Sequence, residues 1–329
     1  MAYATGGTIT NVTYQGVGLT LHVFTTDGTF TIIGDGTKTI LGSVVGGGGG
    51  GGSSSLVYPG AGGGAGGNGV INSVLAAQAY SVIVGPGGSA GDAGTFDGVG
   101  GRGTNSAFYN QSQSVNIFGY AGSGGGSTNN GNAGSSLTGA CSGGGALITS
   151  SVGSATQGNL GVVGGTEADA SLCAGGGGGG NTNATTATGT LPNGGVGFNI
   201  NADINTGLPD WVQEGGGGGG VAGGYGGGRV LATNKGGGLD QVGGNALANT
   251  GSGGGGGGSP STGSDYSGGG AGGSGYVFLY YLTGSGGNTG LYFEPHQVRS
   301  PVGRSSDLYH HPGRGLPRWM TPWMDSYAV

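Results

Sequence analysis

Hydrophobic and polar residues alternate in only a few short stretches of this chain. Residues 19–33 alternate in part and are rich in Thr, Val, Ile and Phe, while 39–45, 79–84 and 276–282 are compact runs of β-branched and aromatic residues. Each predicts a β-strand. In the last run, period-two alternation puts Tyr276, Phe278 and Tyr280 on one face and Val277, Leu279 and Tyr281 on the other, and it reads as a closing strand. Helical periodicity is nearly absent, and residues 71–78 are the one modest candidate.

Between these runs the chain is mostly glycine, 95 of 329 residues, in irregular blocks such as 46–52, 215–228 and 253–258. Such a composition without a period argues by default for low complexity. Ordering each backbone residue costs about 1–2 kcal/mol, and a tract with few side chains must recover this through backbone hydrogen bonds. Side-by-side polyproline-II-like helices with three residues per turn allow it, because neighbours exchange N–H···O=C bonds where no Cβ holds them apart. Collagen is excluded by the irregular spacing and by only 10 prolines. The expected fold class is therefore mostly irregular and β: a bundle of packed polyglycine-II helices flanked by short β-strands, with an extended C-terminal tail. Polar segments such as 127–132, 181–190 and 245–250 suit turns between the rods.

Composition shifts near residue 288. The chain divides into a β-rich segment over 1–45, a glycine-rich domain over 46–287 that includes the strand at 276–282, and a tail over 288–329. Residues 294–329 hold half the prolines, half the Lys plus Arg, three of four histidines and two of three tryptophans. Arg314, Arg318, Trp319, Trp323 and Tyr327 are residue types favoured at interface centres, so this tail reads as a docking segment that lies either on its own glycine-rich body or on a sister subunit. A net charge of −6 with isolated Lys38, Arg102, Arg229 and Lys235 argues against nucleic acid as a partner. Residues 1–10 lack the basic start and apolar stretch of a secretory signal, and no run approaches a membrane span.

Candidate chemistry is sparse. Cys141 and Cys173 lie in matching settings before glycine blocks, which leaves both a disulfide and two buried reduced thiols open. Asn201, Asp203 and Asn205 place oxygen ligands at alternate positions as a calcium loop does, but Val212 stands where the bidentate acid belongs. His296, His310 and His311 are read as hydrogen-bonding groups of the tail rather than a metal site, and His22 as a strand-surface residue. No nucleophile with its base, no phosphate loop and no cofactor motif emerges, so no enzymatic activity is expected.

The order of pieces is more specific than any one of them. His22 to Thr31, then Val44-Val45 leading into 46–52, then Ala79-Tyr80-Ser81-Val82-Ile83-Val84-Gly85-Pro86, Gly103 to Phe108 and finally Gly272 to Tyr280 resembles the glycine-rich domain of bacteriophage tail-fibre adhesins and virion proteins. The resemblance covers roughly residues 19–282 and implies a polyglycine-II sandwich whose loops bind a receptor on the bacterial surface. The expectation is a non-enzymatic phage tail-fibre or virion-surface adhesin, without cofactor or metal, that binds a surface glycan or protein. Tyr109, Asn110, Tyr120, Asp210 and Trp211 are its candidate receptor contacts, since aromatic rings stack on sugar faces. The rival expectation is a structural subunit of an extracellular filament or a virion decoration protein, assembled through the tail.

Overall fold

The computed structural model describes residues 3–14, 17–54, 58–93, 98–127, 140–141, 143–144, 174, 176–180, 182–184, 193–199, 206–219, 226, 232–238, 240–258 and 267–283. The strands among them are β1 (Ala4–Thr5), β2 (Thr8–Tyr14), β3 (Val17–Phe24), β4 (Gly28–Ile32), β5 (Thr37–Val45), β6 (Asn68–Ala76), β7 (Ala79–Ile83), β8 (Ser106–Asn110), β9 (Val115–Gly119), β10 (Phe198–Asn199), β11 (Trp211–Val212) and β12 (Tyr276–Leu282). A first sheet has the order β1-β4-β7-β8-β9, a second the order β2-β3-β12-β5-β6, and β10 pairs with β11. Every pairing is antiparallel.

The two sheets pack face to face because alternation gives each an apolar side. Phe30, Tyr80, Val82 and Phe108 from the first sheet meet Ile40, Val44, Ile71, Val277 and Leu279 from the second, all buried. The other face of the second sheet is apolar as well. There Leu19, Leu21, Val45, Tyr276, Phe278 and Tyr280 are covered by Phe198, Leu208 and Val212. Each such side chain contributes about 1.5–3 kcal/mol when fully buried. β12 is the third of five strands and serves both cores, with its two faces divided as the alternation predicts.

The expected fold class needs correction. The regular structure is two five-stranded antiparallel sheets and the short β10–β11 pair, and no α-helix occurs among the described residues, where a 3-10 turn stands at Gln111–Gln113. A bundle of polyglycine-II helices with short flanking strands is therefore not the architecture. The strands reach nine residues and carry the large buried side chains, because β-branched and aromatic residues bury area that glycine cannot. Residues 71–78 are not helical either. Residues up to Ala76 form β6, which pairs with all nine positions of β5.

The glycine tracts are extended segments with no assigned secondary structure, and they prolong the sheets. β5 runs on into residues 46–54, β7 into 84–92 and β9 into 120–127, while 58–67, 98–105 and 267–275 lead back into β6, β8 and β12. Residues 46–54 lie at the centre. Gly46, Gly49 and Gly52 donate to Gly67, Gly64 and Ala61; Gly47, Gly50 and Ser53 to Thr104, Gly101 and Gly98; Gly48, Gly51 and Ser54 to Gly273, Gly270 and Ser267. Their carbonyls accept from three further segments, as Gly47 does from Gly122, Gly48 from Gly88 and Gly49 from Gly254. A Cβ added at Gly48 would overlap the Ser252 carbonyl oxygen, so the tract can approach six neighbours only as glycine.

Candidate receptor-binding face

The first sheet turns one face to the core and the other to solvent. Because Phe30, Tyr80, Val82 and Phe108 point inward, the residues between them point out. Register then brings Ser81, Tyr109 and Asn116 into one row and Ile83, Ala107 and Phe118 into the next. Tyr120 follows Phe118 by two positions, and their rings stack with centroids 6.3 Å apart and planes 15° from parallel. Tyr109 is half-buried, Tyr120 is 36% exposed and Ile83 39%. The result is an uncharged surface of aromatic rings and small polar groups on a sheet whose back is packed.

A fixed polar cluster closes one end of this face. Asn110 caps the 3-10 turn, its Oδ1 accepting from the Gln113 amide at 3.2 Å and from the Ser112 hydroxyl at 2.8 Å. Its Nδ2 donates to the Ala79 carbonyl at 2.8 Å and to Gln78 Oε1 at 3.3 Å, and the same Gln78 oxygen lies 3.1 Å from Ser112 Oγ. Amide and hydroxyl groups of this kind, next to the half-buried Tyr109 ring, are groups that hydrogen-bond a ligand rich in hydroxyls.

Of the candidate contacts, Tyr109 and Tyr120 fall at outward positions toward opposite ends of the β8–β9 pair, Asn110 lies opposite Val115 at the parity of the inward Phe108, and Asp210 lies apart from all three. Asp210 is exposed and precedes β11, whose Val212 packs on the far face of the second sheet. Trp211 belongs to β11 through its backbone, opposite Asn199. Arg314, Arg318, Trp319, Trp323 and Tyr327 lie outside the described residues, as do Cys173, residues 201–205 and His296, His310 and His311. Sequence reasoning missed Phe118, Gln78 and Ser112. The two-residue spacing of Asn116, Phe118 and Tyr120 carried the signal for the first.

His22 is fully buried rather than on a strand surface. Its Nδ1–H donates to the Gly6 carbonyl at 2.8 Å, its Nε2 lies 3.4 Å from the Tyr281 hydroxyl, and its ring meets Phe30 edge-on at 5.0 Å. Burial lowers its pKa, against an opposing contribution from the Gly6 hydrogen bond. Burial likewise pushes the Tyr276 hydroxyl up. Among the described residues no three His, Cys, Asp or Glu side chains gather as metal ligands, and no helix is long and apolar enough to cross a membrane.

No curated protein matches the chain. The glycine-rich domain family matches residues 25–282, from just before β4 to the end of β12. That span is most of the chain and takes in β7, β8 and β9 together with the glycine tracts that prolong them, and the protein belongs to the glycine-rich domain family.

Proposed function

We propose that this protein is a non-enzymatic adhesin of a bacteriophage, carried on a tail fibre or elsewhere on the virion surface, that binds a glycan or protein of the bacterial surface. The observation that carries the reading is the outer face of the first sheet, where Tyr109 stands next to the fixed amide cluster of Asn110 and Gln78 and the stacked rings of Phe118 and Tyr120 occupy the other end of β9. Rings on a strand lose little freedom when a ligand stacks on them, because the sheet already holds them in place. The uncharged face avoids the desolvation cost that a charged surface would add. The tail over 294–329, with Arg314, Arg318, Trp319, Trp323 and Tyr327, is the segment that fastens the body to the virion or to sister subunits.

Fluorescently tagged full-length protein is incubated with a panel of bacterial strains and with a glycan array. The adhesin reading expects saturable binding that falls about tenfold in the Tyr109→Ala and Tyr120→Ala variants, equivalent to roughly 1.4 kcal/mol, at unchanged melting temperature. Binding that is indifferent to both substitutions, or the absence of binding to every strain and glycan, would refute it.

A further inference from the structure

We infer that β2 is a joint for a second copy of this chain: two copies pair antiparallel along Thr8–Tyr14 about a two-fold axis, joining their second sheets into one of ten strands. The inference starts from the four edges of the two sheets. β1 is an edge of only two residues, Ala4–Thr5. β9 and β6 close on each other: a Cβ at Gly69 of β6 would overlap the Phe118 carbonyl of β9 and lie 3.0 Å from Ile117 Cγ2. β2 differs from all three. It is seven residues long, pairs with β3 without interruption from Thr8↔Val23 to Tyr14↔Val17, and no other described strand pairs with it.

An edge of that length directs the N–H and C=O groups of alternate residues outward. Proteins usually guard such edges with a charge, a proline, a bulge or a short strand. β2 has none of these. Its sequence Thr8-Ile9-Thr10-Asn11-Val12-Thr13-Tyr14 is uncharged, free of proline and glycine, and rich in β-branched residues. Thr8 to Asn11 and Thr13 are exposed, and Ile9 is 44% exposed. Ile9 pairs with His22 on the side facing the first sheet, whereas Val12 packs against the core on the far side.

A second copy is the occupant this edge fits. In an antiparallel pair centred on one β2 residue, positions equally distant from the centre lie opposite one another, so each side chain keeps its face. The Val12 side then extends one apolar layer and the Ile9 side covers a large exposed hydrophobic. No like charges oppose each other in any register. The contact is small, so the dimer forms as protein concentration rises.

Light-scattering mass of the full-length protein is followed between about 1 µM and about 1 mM. The expected result is a shift from monomer to dimer that Ile9→Lys abolishes and that Val74→Lys, at the 66% exposed Val74 of β6, leaves intact. In parallel, amide hydrogen exchange of the unmodified protein should slow at alternate residues of 8–14 as concentration rises, a readout independent of how the variants fold. A monomer over the whole range, a dimer that persists in folded Ile9→Lys protein, or β2 exchange that does not change with concentration overturns the proposal.

Discussion

The Ser106 hydroxyl donates to the Val45 carbonyl at 2.6 Å and accepts from the Gly85 amide at 2.9 Å. Ser106 opens β8 of the first sheet, Val45 ends β5 of the second, and Gly85 follows β7. One fully buried side chain therefore ties the two sheets at the level where three strands meet their glycine tracts. Ser106→Ala leaves a donor and an acceptor without this partner, at a cost of about 1–3 kcal/mol. Chemical denaturation should show a lower midpoint at unchanged slope. A midpoint equal to that of the parent would mean that the junction does not depend on this hydroxyl.

Gly48 and Gly177 are predicted to be intolerant of any side chain. A Cβ at Gly48 meets the Ser252 carbonyl and one at Gly177 meets the Gly63 carbonyl, both backbone atoms that cannot swing aside. Gly48→Val and Gly177→Val should not yield folded protein, as judged by loss of a cooperative thermal transition. Gly34 is a control of another kind, since nothing lies within 4 Å of an added Cβ but its φ is +94°. Gly34→Ala should fold and lose on the order of 1–2 kcal/mol to backbone strain.

How much of this was legible in the sequence depends on how local the information is. The two faces of β12 could be read from Tyr276 to Leu282 alone, because alternation with period two is a local property. The turn over 245–250 was legible too, and Asn249 adopts φ +59° there. The pairing of Leu282 with Leu19 was not, since partners more than 250 residues apart leave no mark on each other's sequence. Residues 71–78 suggested a helix because Ile71 and Leu75 stand four apart, yet both face the sheet core from the same side of β6. His22 looked like a surface residue for want of any sign that Gly6 and Tyr281 would enclose it. Of the candidate contacts, Tyr109, Asn110 and Tyr120 were chosen by type, and only the register of β8 and β9 separates the outward Tyr109, which shares a face with Phe118, from Asn110 opposite Val115.

Stability should fall in mild acid through His22. Its folded pKa is depressed, so the unfolded chain binds the proton more readily below about pH 6.5. Stability from this residue is therefore intact above that pH and declines as pH drops toward the folded value, with a slope of at most about 1.4 kcal/mol per pH unit. Denaturation midpoints measured from pH 8 to pH 4 should show a decline that is shallower in His22→Gln, which keeps a donor for Gly6 but does not titrate. Parallel profiles in the two proteins would sink this assignment.

Cys141 is fully buried, its amide donating to the Ala65 carbonyl and its carbonyl accepting from the Ser123 amide. In a Cys173→Ser background, a thiol reagent should leave Cys141 unmodified in native buffer and label it fully in denaturant, because reaction requires access. Rapid labelling of the native protein would show that the array opens at this position.

The hydrogen bonds of residues 46–54 return to the same neighbour every third residue. A chain with that repeat has a reading frame. Deleting Gly49 would turn the Gly50 amide, which reaches Gly101, toward the segment that holds Gly64, and every donor downstream would likewise address the wrong neighbour. Deleting three restores each address and only shortens the tract by one repeat. Length changes in the central tract should therefore be tolerated in threes and rejected in ones and twos, so that a segment made of a single residue type still carries a register that insertions and deletions must respect.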